Sequence, residues 1–181
     1  GIQIHYWRTG DGSKPPLVLC HVKGDQMPED VRVAALASAW DWRTMGKVTP
    51  VKNQYSCGSC YAFAAIGNVE SKLLMDGAGT FDFSENNAKE CNYYNTSCAG
   101  GNYFKMANWL SKKGTVQESC DPYVGSDVGC TTACPYIKTL LDWRIINGSV
   151  LPDTNVLKAY LQTYGPLFTF VYAGDEDAWE T

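Results

Sequence analysis

Apolar residues recur at helical spacing in three stretches of this chain, and a capping residue indicates a fourth, short helix. In the longest, which begins at Cys60, the apolar positions are separated by four, three and four residues and share one helical face: Ala62, Ile66, Val69 and Leu73. The other three predicted helices are each bounded by a capping residue or a terminating glycine, and they run from Ser84 towards Cys91, from Tyr103 to Gly114 and from Asp153 to Gly165.

Short stretches rich in apolar residues predict strands towards both ends of the chain. They cover residues 2–8, 17–20, 140–146 and 167–172. Because helices precede strands after residue 36, we expect an α+β fold in two lobes, with a helical lobe over residues 36–135 and the start of a strand-rich lobe over 136–181. Residues 1–35 differ from the remainder of the chain and are interpreted as an N-terminal extension of unknown role.

The composition is that of an ordinary globular protein, with 45% hydrophobic and 19% charged residues. A formal net charge of -4 opposes a surface for nucleic acid or anionic membrane. No run approaches the roughly 18 apolar residues that can span a bilayer. We therefore expect neither nucleic acid nor a membrane as a partner.

Eight cysteines in 181 residues indicate an oxidising compartment. Two glycosylation sequons, at Asn95 and Asn147, fit passage through the secretory pathway. We expect a lysosomal, vacuolar or secreted protein. The apolar residues 17–20 are too few for a signal-peptide core, so the chain is interpreted as mature or as lacking its targeting segment.

Cys60 stands where a Gly/Ser-rich loop turns into the longest predicted helix. Backbone N–H groups at a helix start lack intrahelical partners and carry the positive end of the helix dipole, and both effects favour thiolate over thiol. Because the thiolate is the reactive form, this position nominates Cys60 as a nucleophile. Cys57 precedes it by three residues, so a C-x-x-C thiol-disulfide oxidoreductase is an alternative, although residues 52–56 are more polar than the buried strand such an enzyme needs.

Several motifs resemble those of the papain-like cysteine peptidases, in the same order along the chain. They are C-G-S-C-Y at residues 57–61, an Asp-Trp-Arg run at 41–43, the lead-in at 48–54 and the glycine pair at 100–101. The resemblance extends from about residue 36 to about residue 173. It implies a papain-like two-lobe fold, in which the helical left lobe is complete and the strand-rich right lobe is incomplete.

The resemblance also implies a cysteine endopeptidase of the cathepsin or papain type. The Cys60 thiolate would attack a peptide carbonyl and form an acyl-enzyme intermediate. The side-chain amide of Gln54 and the backbone N–H of Cys60 would form the oxyanion hole. A non-catalytic, peptidase-like binding module remains a third alternative.

A substrate site around the glycine pair is implied by the same resemblance. Gly100 and Gly101 would offer backbone groups to an extended polypeptide, since a side chain would block close approach. The other residues implied at the substrate are Ser59, Tyr61, Asn102 and Tyr103. Asn102 stands where relatives often carry an aromatic residue, so the preference of the second subsite is open. The implied partners are polypeptide substrates and protein inhibitors or a pro-segment, and no cofactor or metal is expected.

Disulfide pairing is implied by the resemblance for two pairs, Cys57 with Cys98 and Cys91 with Cys130. Cys120 and Cys134 are interpreted as an additional pair, and other connectivities stay open because seven non-nucleophilic cysteines can combine in several ways. This arrangement leaves Cys60 free for catalysis and Cys20 without an assigned partner.

The two histidines, His5 and His21, both precede the nucleophile. In papain-like enzymes the catalytic histidine and asparagine lie roughly 130–150 residues after the cysteine, whereas residue 181 lies 121 residues after Cys60. We therefore expect both groups beyond residue 181, and we expect the isolated chain to lack efficient turnover. A continuation of the chain, or a second chain, would complete the strand-rich lobe.

Overall fold

The fold is that of a computed structural model, which describes residues 5–8, 36–131, 133–146 and 152–169. The regular elements within these residues are two strands and four helices. In chain order they are β1 (His5–Arg8), α1 (Cys60–Met75), α2 (Glu85–Glu90), α3 (Tyr103–Lys112), β2 (Asp142–Ile145) and α4 (Thr154–Tyr164). Each of the four predicted helices is present, three of them predicted from apolar spacing and the one after Ser84 from its capping residue.

Helix α1 lies at the centre of the main core and packs against α2 and α3. The four predicted core positions of α1 are all buried, because the 3.6-residue period keeps them on one face. Their neighbours in the core include Phe83, Met106, Trp109 and Leu110. Trp109 is fully buried and donates its indole N–H to the carbonyl of Cys91 at 3.1 Å, so this large side chain leaves no unpaired polar atom.

Side-chain caps begin three of the four helices. The Ser84 hydroxyl accepts from the N–H of Asn87 at 2.8 Å, and the Asp153 carboxylate accepts from the N–H of Asn155 at 2.8 Å. Asn102 caps α3 by accepting from the N–H of Lys105 at 3.0 Å. The first two caps are confirmed as predicted, because a cap depends only on the residue type at the helix start and on N–H groups a few residues later. Helix α1 differs, since the side chain of its N-cap residue forms no capping hydrogen bond.

Strands β1 and β2 form an antiparallel pair in which His5 lies opposite Ile145 and Arg8 opposite Asp142. The predicted strands at 2–8 and 140–146 are thus confirmed within the described residues. The predicted strand at 17–20 lies outside them. Of the predicted strand at 167–172, residues 167–169 are described and contain an isolated bridge residue, Phe168, while residues 170–172 lie outside.

Two hydrogen bonds join α4 and the residues directly after it to earlier parts of the chain. The indole N–H of Trp42 donates to the carbonyl of Leu161 at 3.0 Å, and the side-chain amide of Asn68 in α1 donates to the carbonyl of Pro166 at 2.6 Å. A second small core forms around Ala159, Tyr160 and Tyr164. Among the described residues, no helix has both the length and the apolar character needed to cross a membrane.

A partly buried cluster of charges anchors the segment that leads into α1. The ammonium group of Lys52 lies 3.2 Å from Glu70, 2.7 Å from Asp82 and 2.9 Å from Glu85. The Glu70 carboxylate is buried in α1 and also accepts from the hydroxyl of Thr49 at 2.6 Å. Because breaking one partner out of a buried ion pair leaves an uncompensated charge, this cluster holds residues 49–52 against α1 and the start of α2.

The pKa values of Lys52 and Glu85 are both raised, for different physical reasons. Burial alone would lower the pKa of Lys52, but the hydrogen bond to Asp82 and the charges of Glu85 and Glu70 together raise it. Burial raises the pKa of Glu85 from 4.5 to about 7, despite the nearby Lys52 ammonium. The folded protein therefore keeps a proton on Glu85 at pH values where the unfolded chain has released it.

We expect the stability contributed by Glu85 to be fully present below pH 4.5 and lost as the pH rises through about 7. The loss would be on the order of 3 kcal/mol, because each pKa unit corresponds to about 1.4 kcal/mol. Thermal unfolding of the wild type between pH 5 and 8 should therefore show a falling free energy of unfolding. Glu85→Gln should flatten that slope.

Asp82→Asn is the matched control, because it removes an exposed carboxylate from the same lysine. It should keep the slope of the wild type. Parallel pH profiles for the wild type and Glu85→Gln would contradict the assignment of the slope to Glu85.

Candidate active site

Cys60 is the first residue of α1, and its thiol is exposed. It is the one free cysteine among the described residues, while Cys20 lies outside them. The N–H groups of Ala62 and Phe63 bond to the carbonyl of Ser59, but no described residue accepts a hydrogen bond from the N–H of Cys60. The helix start therefore presents an open backbone donor beside an accessible sulfur.

Gln54 closes the loop that precedes Cys60. Its side-chain amide donates to the carbonyl of Cys57 at 2.9 Å, and its own carbonyl accepts from the N–H of Cys57 at 3.3 Å. A glutamine amide has two N–H donors, so one donor fixes the orientation of the group and the second remains for another acceptor. The Gln54 side chain is half-buried.

Tyr55 carries backbone strain next to Gln54. Its φ of 53° lies in the left-handed region that a non-glycine residue seldom adopts. The side-chain oxygen of Asn53 accepts from the N–H of Tyr55 at 2.7 Å, which supports this turn. Strain of this kind persists only where the surroundings hold it, so the loop conformation is imposed by its contacts.

Tyr123 connects the two sides of the loop and was not singled out by the sequence. Its hydroxyl donates to the carbonyl of Gln54 at 2.9 Å and lies 2.7 Å from the hydroxyl of Ser59. Tyr123 belongs to an irregular segment without apolar periodicity, so no local pattern signals this position. The contact partners lie 64 and 69 residues away in the chain.

Three disulfides are present among the described cysteines: the two pairs that the resemblance implies and the additional pair that was left open. They join Cys57 to Cys98, Cys91 to Cys130 and Cys120 to Cys134. An oxidoreductase built on C-x-x-C would need Cys57 and Cys60 as its redox pair, whereas Cys57 is joined to Cys98. The described residues contain no group of three or more His, Cys, Asp or Glu that could hold a metal ion.

Tyr61, the residue after Cys60, lies close to Gly101. The Tyr61 ring is fully buried and its hydroxyl donates to the carbonyl of Ser97 at 3.1 Å. A Cβ atom on Gly101 would lie 2.7 Å from the ring, so only glycine fits there. Burial raises the pKa of Tyr61 to about 12 and keeps its hydroxyl neutral.

The predicted substrate residues differ in their burial and in what their side chains contact. Ser59 and Tyr61 have buried side chains that hold the loop, so contact with a substrate would come from their backbone. Gly100 has a φ of 112° and open space around the position of a Cβ atom. Asn102 uses its side-chain oxygen to cap α3, and the ring of Tyr103 packs edge-on against Phe168 at 6.1 Å.

His5 lies in β1, and His21 lies outside the described residues. A cavity of about 290 Å³ lies beside the loop, and its lining does not include Cys60. The residues that line it are Lys52, Asn53, Tyr55, Phe63, Asp82, Glu85, Glu118 and Tyr123.

Gly58→Ala is expected to destabilise the loop. An added Cβ would lie 2.4 Å from the carbonyl oxygen of Cys98, which also accepts the N–H of Gly58 at 3.0 Å. Because the obstructing atom belongs to the backbone, we expect a loss of about 1–3 kcal/mol in the free energy of unfolding, measured in urea.

Gly67→Ala in α1 is the matched control, since nothing lies within 4 Å of its added Cβ. Alanine in a helix interior should leave stability unchanged or raise it by about 0.5–1 kcal/mol. Equal effects of the two substitutions would contradict the close approach at Gly58.

Known proteins resemble this chain over most of its length. The sequence profile described as "Papain family cysteine protease" matches residues 36–180. "Cysteine proteinase 1" of Dictyostelium discoideum is 32% identical over 164 residues, covering 84% of this chain and 46% of the relative. "Viral cathepsin" of Heliothis zea nuclear polyhedrosis virus is 35% identical over 158 residues, covering 87% of this chain and 42% of the relative.

Two solved structures share the fold. The recombinant stem bromelain precursor has a TM-score of 0.54 and 31% identity, covering 74% of this chain and 41% of that chain. The bromelain protease from Ananas comosus in complex with the E64 inhibitor has a TM-score of 0.51 and 34% identity, covering 55% and 47%. This chain thus spans less than half the length of each of these relatives, and the expected papain-like α+β fold is confirmed. With the profile matched over residues 36–180, the chain belongs to the papain family of cysteine proteases.

Proposed function

We propose that this chain is the nucleophile-bearing part of a cysteine endopeptidase. The observation that carries the proposal is the position of Cys60, whose free, exposed thiol begins α1 beside an open backbone donor. The neighbouring Cys57 is held in a disulfide with Cys98 and serves the scaffold instead. Open N–H groups and a positive helix end suit both a thiolate and an oxygen that becomes negative.

In the proposed reaction the Cys60 sulfur bonds to the carbonyl carbon of a peptide, and the π electron pair moves to the oxygen. The Cys60 N–H and the second N–H of the Gln54 amide donate to that oxygen. The electron pair then returns, the C–N bond breaks, and the amine leaves with a proton. Water next attacks the thioester, releases the carboxylic acid and restores the thiolate.

The base that accepts and returns the proton is proposed to be a histidine that an asparagine orients. Neither role is assigned to a residue that the structure describes. A continuation of the chain or a second chain would supply them and complete the strand-rich lobe. The residue ranges 36–135 and 136–181 are proposed as the helical lobe and the start of the second lobe. Two hydrogen bonds, from Trp42 to Leu161 and from Asn68 to Pro166, support direct contact between these two ranges.

Polypeptides are the proposed substrates, and the glycine pair is proposed to receive them. Gly100 combines a left-handed φ with open space, which suits a backbone that approaches another chain closely. Asn102 and Tyr103 would border this strip at the start of α3. A pro-segment or protein inhibitor would be expected to occupy the same surface.

An oxidising compartment, lysosomal, vacuolar or extracellular, is proposed as the location. Three disulfides support it, since such bonds persist where thiols are not kept reduced. Residues 1–35 are proposed as an extension, of which β1 pairs with β2.

We expect E64, the inhibitor named in the bromelain structure, to modify Cys60 of this chain covalently. Mass spectrometry of the digested protein should find one added inhibitor on the Cys60 peptide. Cys60→Ser should abolish the addition, and Cys20→Ser is the matched control that should retain it.

Modification confined to Cys20, or recovery of Cys60 in a disulfide of the native protein, would contradict the proposed function. Either result would mean that the sulfur at the start of α1 is not an available nucleophile.

A further inference from the structure

We propose that Tyr123 is a positioning residue that sets the arrangement of the two oxyanion donors. Its hydroxyl joins the backbone of Gln54 to the side chain of Ser59, and these residues flank the loop that ends at Cys60. The inference rests on the proposed function, because it concerns the donors of that reaction.

The direction of the hydrogen bonds follows from the chemistry of a phenol. Tyr123 has a single hydroxyl hydrogen, and it is directed to the carbonyl of Gln54 at 2.9 Å. The 2.7 Å contact with Ser59 is therefore a bond in which the serine hydroxyl donates. The chain of donors runs from Ser59 through Tyr123 to Gln54 and links two points of the loop through one oxygen atom.

The phenol is itself held from three sides. The N–H of Tyr123 donates to the Glu118 carboxylate at 2.7 Å, and the ring packs edge-on against Phe63 at 4.8 Å. The buried ammonium of Lys89 lies 5.6 Å from the ring centre and donates to the carbonyl of Val124 at 3.1 Å. Because the ring is fixed by a backbone bond, an aromatic neighbour and a cation, its hydroxyl serves as a rigid reference point.

The Ser59 hydroxyl donates to Tyr123, and the Ser59 side chain forms no capping bond with α1. A serine cap engages the N–H of the second or third helical residue, and the N–H of Cys60 precedes both positions. The N–H of Cys60 therefore stays available to an oxyanion, while the contact with Tyr123 holds the side chain of the residue before it.

Two probes separate this role from simple structural support. Alkylation of Cys60 by iodoacetamide needs only the sulfur. A peptide aldehyde forms a hemithioacetal, in which sulfur bonds to the carbonyl carbon and the thiol proton ends on the oxygen. The oxygen of that adduct lies where the Cys60 N–H and the Gln54 amide would both donate to it. The affinity of the aldehyde therefore reports how these two donors are arranged.

The experiment compares the full chain with Tyr123→Phe, which removes only the hydroxyl. We expect the aldehyde to bind about tenfold more weakly, a smaller loss than the about 10²-fold expected for Gln54→Ala, which deletes a donor. The iodoacetamide rate should stay within about twofold, because the sulfur itself is untouched. Ser59→Ala tests the same link from its other end, and combining it with Tyr123→Phe should add little further loss.

Asp153→Ala removes the cap of α4 and is the matched control for a loss of thermal stability away from the loop. It should leave aldehyde affinity unchanged. Equal aldehyde affinity for the wild type and Tyr123→Phe, or equal losses with both probes, would overturn the inference. Failure of the wild type to bind the aldehyde would instead overturn the proposed function.

Discussion

The burial of α1 is the constraint on which the rest of the structure depends. Its interior residues, such as Ile66 and Val69, lie in the core, while Cys60 at its first position is exposed. A helix is a stiff rod that advances 1.5 Å per residue, so packing several turns away fixes the sulfur in space. The hydrophobic core thus fixes the position of the Cys60 sulfur, and the preceding loop packs around that position.

Three kinds of interaction hold the loop that precedes Cys60. The Lys52 cluster supplies charge, the Cys57–Cys98 disulfide a covalent link, and Tyr123 a hydroxyl. They reach the loop from different parts of the chain. Because removing one partner of a buried ion pair leaves an uncompensated charge, the cluster holds residues 49–52 in place.

The sequence predicted the helices and the position of Cys60 at the start of α1, because both are local signals. Apolar spacing identified α1, and caps such as Ser84 identified helix starts. Asn102 was interpreted only as a substrate residue, and its role as the side-chain cap of α3 was not predicted. Tyr123 and Lys52 lie in irregular segments, and their partners are distant in sequence, so no periodicity could reveal them. The disulfide pairing likewise depended on resemblance, because spacing alone leaves several connectivities.

The hydrogen bond from Trp42 to Leu161 spans 119 residues and ties the segment before α1 to α4. The entropy of closing so long a loop grows only logarithmically, by about 0.6 kcal/mol for each doubling of length. Surface insertions between these two residues therefore cost the link little. The chain can lengthen its outer turns over evolutionary time without detaching the helix that the link secures.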